Sequence, residues 1–229
     1  MSARSFRSLA AAALAVAGIV AARHAARAAD LPLLVREDFE NGADRWQPFD
    51  RASWKISETP RGKAYSLLTD SNYKPPYRSP VNIALLKDVV VGSFVLEVEL
   101  QSTVKDYDHR SMVLVFGYQD PAHFYYVHLG KKTDDHANQI FIVNGAAREK
   151  ISTETTPGTC WDDAWHKVKI VRDASDGSVE VFFDDMRRAV MEAIDDTFAW
   201  GRIGIGAFDD LGNFDNIVLR GKAAKSQVR

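Results

Sequence analysis

The sequence predicts an all-β protein, a sandwich or barrel of many short antiparallel strands. Three observations predict it. Apolar and polar residues alternate with period two through most of the 229 residues, which is the pattern of strands with one buried face. Turn clusters rich in Gly, Pro, Asn and Asp recur between these runs at short spacing. Only residues 186–194 place apolar side chains (Val190, Met191, Ile194) at a helix-compatible spacing, and that piece is short enough to read as a strand.

The elements follow in chain order. Residues 1–28 read as an export signal, with Arg4 and Arg7 ahead of an apolar run over 9–22 and an A-x-A cleavage site at Ala26-Arg27-Ala28. The run is shorter than the ~20 apolar residues of a membrane span, and no second apolar run follows it, so no transmembrane span is expected after cleavage. One globular domain is expected over residues 29–221, with a polar tail at 222–229. Strands are expected at 33–39, 54–57, 64–68, 82–86 and 92–101. Residues 111–118 and 124–129 form a hairpin around Gln119-Asp120-Pro121-Ala122-His123. Residues 139–143 turn at Asn144-Gly145, a short hairpin signal, into 148–151. Strands at 165–172, 178–183, 202–208 and 213–219 complete the domain.

Composition narrows the function. Residues 1–28 hold four of the 29 basic residues and none of the 31 acidic ones, so the chain after them has 25 against 31, a formal charge of −6. Neither sign forms a long run, which argues against a nucleic-acid partner or an anionic membrane surface. A monomer is expected, and no organic cofactor motif is present. The single cysteine, Cys160, rules out an intrachain disulfide; as a nucleophile it needs a base such as His166.

The stretch 109–138 concentrates the chemistry, with four of the six histidines: His109, His123, His128 and His136. In the strand 124–129 one face carries Phe124, Tyr126 and His128, and the other carries Tyr125, Val127 and Leu129, which suits a core. His128 has the pKa range of a general acid or base. Asp134, Asp135, His136 and Asn138 form a dense polar loop beyond it, read either as catalytic or metal-binding groups or as a turn. Arg110 can clamp hydroxyls or a carboxylate through its planar fork. Among the tryptophans Trp161 is expected to be the most exposed, as a sugar-stacking ring or a loop anchor.

Several framework motifs resemble a known superfamily. They are Arg36-Glu37-Asp38-Phe39-Glu40, Gly117-Tyr118-Gln119-Asp120-Pro121 with Phe124-Tyr125-Tyr126-Val127, Trp165-His166-Lys167-Val168-Lys169-Ile170, Gly177 through Asp184, Gly201-Arg202-Ile203-Gly204-Ile205-Gly206, and Phe214-Asp215-Asn216-Ile217. The pattern is similar to the concanavalin A-like lectin/glucanase jelly roll, and within it to exported 3-keto-disaccharide hydrolase-like domains, over residues 33–221. The resemblance implies two curved antiparallel sheets whose concave face holds carbohydrate. It also implies a structural Ca²⁺ between the first and last strands, which Asp38, Glu40 and Asp215 suit as oxygen ligands.

Two functional expectations follow. One is a carbohydrate-active enzyme that hydrolyses or eliminates at a glycosidic bond, including a 3-keto one. Its catalytic residues are His128, Asp135 and His136, and Arg110, Tyr126, Asn138 and Trp161 bind substrate. The other is a non-catalytic carbohydrate-binding or cell-surface interaction module, located in the periplasm or outside the cell.

Overall fold

The computed structural model describes residues 31–224; the expected export signal and most of the expected tail lie outside them. Among the described residues, sixteen strands and one 3₁₀ turn (Arg51–Ser53) account for the regular structure, and the strands form two antiparallel sheets, as the alternation predicts.

The nine-stranded sheet runs in the order β11 (Ser152–Thr155), β14 (Met191–Ile194), β13 (Ser178–Phe183), β12 (His166–Asp173), β6 (Val91–Ser102), β16 (Gly212–Ala223), β4 (Gly62–Leu67), β3 (Trp54–Thr59). Its remaining strand, β1 (Leu33–Glu37), pairs with the far half of β16, so the first and last strands are neighbours as expected. The seven-stranded sheet runs β10 (Glu149–Lys150), β9 (Gln139–Asn144), β8 (His123–Gly130), β7 (Ser111–Asp120), β15 (Arg202–Ala207), β5 (Asn82–Leu86), β2 (Trp46–Pro48). Of the segment 186–194 only Met191–Ile194 is strand, β14, paired with β13 and β11, and residues 186–190 form the turn that leads into it.

The β7–β8 hairpin is tighter than the five-residue turn expected. Asp120 pairs with His123, leaving Pro121-Ala122 as the turn. The Asp120 carboxylate explains this, because it accepts from the Ala122 N–H at 2.7 Å and from His123 Nδ1 at 2.9 Å. A bulge at Gly117 shifts the β7 register. Gly117 has φ +59°, and a Cβ on Gly201 would meet the Gly117 carbonyl carbon at 2.1 Å, so two backbones pass here at a distance that only glycine allows.

The main core lies between the sheets. Leu96, Val98, Leu100, Ile170 and Leu219 of one sheet meet Leu114, Phe116, Val127, Leu129 and Ile205 of the other. A second apolar cluster covers the outer face of the seven-stranded sheet: Ile83, Leu85, Val113, Val115, Tyr118, Phe124, Tyr126, Phe141 and Val143, with Phe49, Tyr77 and Phe208 packed on it. Phe124 is 1% exposed and Tyr126 0%. This face, which carries Phe124, Tyr126 and His128, is roofed. The roof includes Phe49, whose ring packs edge-on against Tyr73 (4.6 Å) and tilted against Tyr118 (5.9 Å). Phe49, Tyr77 and Phe208 are half-buried in this packing, so each contributes part of the roughly 1.5–3 kcal/mol that full burial of such a side chain provides. Among the described residues no helix is long and apolar enough to cross a membrane.

Candidate functional site

Alternation along β8 sends Phe124, Tyr126 and His128 to the outer face, and register pairs His128 with Val113 on β7 and Gln139 on β9. At this end of the sheet the roof thins to two half-exposed side chains, Phe208 and Arg148. Phe208 follows β15 and stacks on His128, with ring centroids 5.3 Å apart and 25° between planes. Arg148 comes from the β9–β10 loop. Its guanidinium lies 4.8 Å from the Phe141 ring and 4.5 Å from the Phe208 ring, and Nη1 donates to the Tyr126 hydroxyl at 3.0 Å. Tyr126 in turn stacks on Phe141 at 5.0 Å. The rim is thus an arginine held between two aromatic rings, above a tyrosine and beside a histidine.

His128 donates from Nδ1 to the His136 carbonyl at 2.8 Å, which leaves Nε2 as the acceptor. Nε2 is buried and has no hydrogen-bond partner among the described residues. Burial, reinforced by the Arg148 charge, pushes the His128 pKa down to about 4, so the ring is neutral at neutral pH. Burial likewise pushes the Tyr126 hydroxyl far above its ordinary range.

The other expected site residues do not converge on this rim. His136 contributes its carbonyl to His128, while its side chain is exposed. Asp135 is exposed and pairs with Lys150 at 2.7 Å. Asp134 caps the turn, accepting from the N–H groups of His136 (2.6 Å) and Ala137 (2.8 Å), so the polar loop is first of all a turn. Arg110 is 1% exposed. It donates from Nε to Ser102 Oγ (3.0 Å) and from Nη2 to the Ser102 carbonyl and to Asp163 (both 2.8 Å), which ties β6 to the 160–165 loop. Asn138 is fully buried at φ +52°, and its Nδ2 is spent on Thr133, Thr155 and the Thr156 carbonyl.

Trp161 corrects the expectation of exposure. It is 3% exposed, and its indole N–H donates to the Leu129 carbonyl at 2.8 Å; its ring packs against His166 and Phe183. It is a loop anchor, the other of the two roles weighed for it. His166 is fixed by Asp184 (2.8 Å) and Asp162 (3.3 Å), while Cys160 is exposed.

Asp38 and Glu40 lie just past the end of β1, and Asp215 lies on β16, where the Asp38 charge reaches it. Asp38 accepts from the Glu40 N–H at 3.2 Å, Glu40 accepts from the Lys63 N–H at 2.8 Å, and Asp215 accepts from the Asn216 N–H at 2.7 Å. Burial, then Glu99 and Asp38, raise the Asp215 pKa. Among the described residues no three His, Cys, Asp or Glu side chains converge where a metal ion would sit.

Sequence reasoning missed Arg148, Phe208 and Phe141. The hint was that the alternate residues of β7 and β8 are apolar on both faces, a pattern of strands buried on two sides.

No family model and no curated protein sequence matches the chain. Solved structures do. The carbohydrate-binding module CBM66 from Bacillus subtilis superposes with TM-score 0.55 at 17% identity, over 77% of this chain and 96% of that one. Domain 4 of AbnA, a GH43 extracellular arabinanase from Geobacillus stearothermophilus solved with arabinotriose, gives 0.53 at 11% identity, over 85% and 95%. A Bacillus subtilis protein of unknown function with a galectin-like fold gives 0.56 at 11%, over 84% and 97%. The likeness at these identities is one of fold: the chain is an antiparallel jelly-roll sandwich of the lectin kind.

Proposed function

We propose that the protein is an exported, non-catalytic carbohydrate-binding sandwich whose ligand rim is formed by Phe208, Arg148, His128 and Tyr126. One observation carries the reading: an unpartnered, neutral histidine acceptor lies at the sheet rim beside a half-exposed ring and a half-buried guanidinium. Those three groups match the needs of a sugar, which offers C–H faces to rings and hydroxyls to donors and acceptors. Entry to Nε2 requires the Phe208 ring to rotate off His128. That two of the similar structures are a carbohydrate-binding module and a domain solved with arabinotriose supports the same class of ligand.

Non-catalytic binding fits the site better than turnover. Glycosidases usually set two carboxylates across the scissile bond, and a general acid works best with a pKa near the operating pH. Here Asp135 and the His136 ring point to solvent, and His128 is held near a pKa of about 4. Export rests on the character of residues 1–28.

The test is a titration of the full chain with a panel of plain and 3-keto oligosaccharides, followed by calorimetry, with mass spectrometry of the same mixtures. Saturable binding without released sugar is expected. Release from the 3-keto set would replace this reading with the enzymatic one.

A further inference from the structure

The charges at the rim narrow the ligand, given the binding reading above. Arg148 is half-buried between Phe141 and Phe208, and its one side-chain hydrogen bond goes to the neutral Tyr126 hydroxyl. Its backbone N–H donates to the carbonyl of Arg78 at 3.1 Å, which brings a second, exposed arginine alongside. Among the described residues neither guanidinium has a carboxylate within 4.0 Å. Asp135 pairs with Lys150, and Glu149, next to Arg148, and Asp209, next to Phe208, are exposed. The contrast within this chain is instructive, because buried Arg110 has Asp163 and exposed Arg61 has Glu99. A guanidinium set in a partly dry aromatic clamp, with most of its donors uncommitted, is suited to a planar anion, because a carboxylate fits its fork in bidentate fashion.

We infer that the rim takes an acidic glycan, with a uronate carboxylate seated on Arg148 and Arg78. The half-exposed edge of Arg148 reaches such a carboxylate without any movement of Phe208. A sugar hydroxyl then donates to His128 Nε2 once that ring rotates. The two arginines give the chain a local cationic site although its net charge is negative, so binding is steered by these residues and weakened by salt.

The experiment titrates the full chain, by calorimetry at low and high salt, with oligogalacturonate and oligoalginate, their methyl esters, and neutral galactan and arabinan oligosaccharides. Binding of an acidic oligosaccharide is expected, with its ester about tenfold or more weaker, the loss of one charge-assisted contact. Arg78→Ala, at an exposed position, lowers affinity for the acid form by a similar factor, leaves the ester unaffected and leaves the melting temperature unchanged. Equal affinity for acid and ester, binding of neutral sugars alone, or an Arg78→Ala variant that binds like the parent overturns the acidic-glycan inference and leaves the carbohydrate-binding reading standing. No binding to any member of the panel overturns both.

Discussion

The neutral state of His128 has a measurable consequence for stability. In the unfolded chain the imidazole titrates near its ordinary value of 6.5, whereas in the fold burial and Arg148 lower it to about 4. Between those values the unfolded chain binds more protons at this residue than the folded chain does. Stability therefore rises with pH across that window, and it is lost as pH falls from 6.5 towards 4. The gap between 6.5 and about 4, at about 1.36 kcal/mol per pH unit, sets the loss at about 3 kcal/mol. The perturbation is His128→Gln, which keeps a neutral donor for the His136 carbonyl and removes the titration. Urea denaturation of both proteins, followed by tryptophan fluorescence at several pH values from 4 to 7, gives the difference. Asp210 and Asp215, whose raised pKa values act with the opposite sign, are common to both proteins and cancel. Parent stability should converge on or fall below that of the variant as pH drops. Two curves that run parallel from pH 7 to 4 would refute the reasoning that places a neutral, unpartnered histidine in this rim.

Three further outcomes are expected. Arg148→Ala removes one hydrogen bond and two ring contacts and costs about 2–3 kcal/mol in urea unfolding; with the cation gone the His128 pKa rises, so the pH dependence shrinks. Trp161→Phe keeps the ring but strands the Leu129 carbonyl, for a loss of about 1 kcal/mol, and leaves glycan affinity unchanged by calorimetry, as a loop anchor should. Because Asp38 and Glu40 are engaged with nearby backbone N–H groups, adding Ca²⁺ or a chelator leaves the melting temperature unchanged; a rise with Ca²⁺ would restore the terminal-strand acids as ligands.

The strands were legible because each carries its burial pattern in its own residues. Ser178 to Phe183 and Asn82 to Leu86 stand in the structure with the bounds expected for them. The inner face of β8, Tyr125, Val127 and Leu129, is likewise core. The roof was not legible, because Tyr73-Lys74-Pro75-Pro76-Tyr77 has no period, and the packing of Tyr77 on the outer-face cluster and of Tyr73 on Phe49 is decided by tertiary contact. The same reason hid Arg148 and Phe208, whose side chains act on residues far away in sequence (Tyr126 and His128). Local polarity, by contrast, drew attention to Asp134, Asp135 and Asn138, where the backbone needed turn caps and a left-handed residue. Arg110 misled for a related reason: its fork reads as free for a ligand, but Ser102 and Asp163 occupy it.

The measurement that tests the central claim most directly is backbone and side-chain chemical-shift mapping of the full chain with an oligosaccharide that binds in the panel. The account predicts that the largest shifts fall on Phe208, Arg148, Tyr126 and the His128 ring, with the Nε2 resonance reporting a new hydrogen bond. Shifts centred instead on the outer face of the nine-stranded sheet, around Trp165 and Arg61, would contradict it.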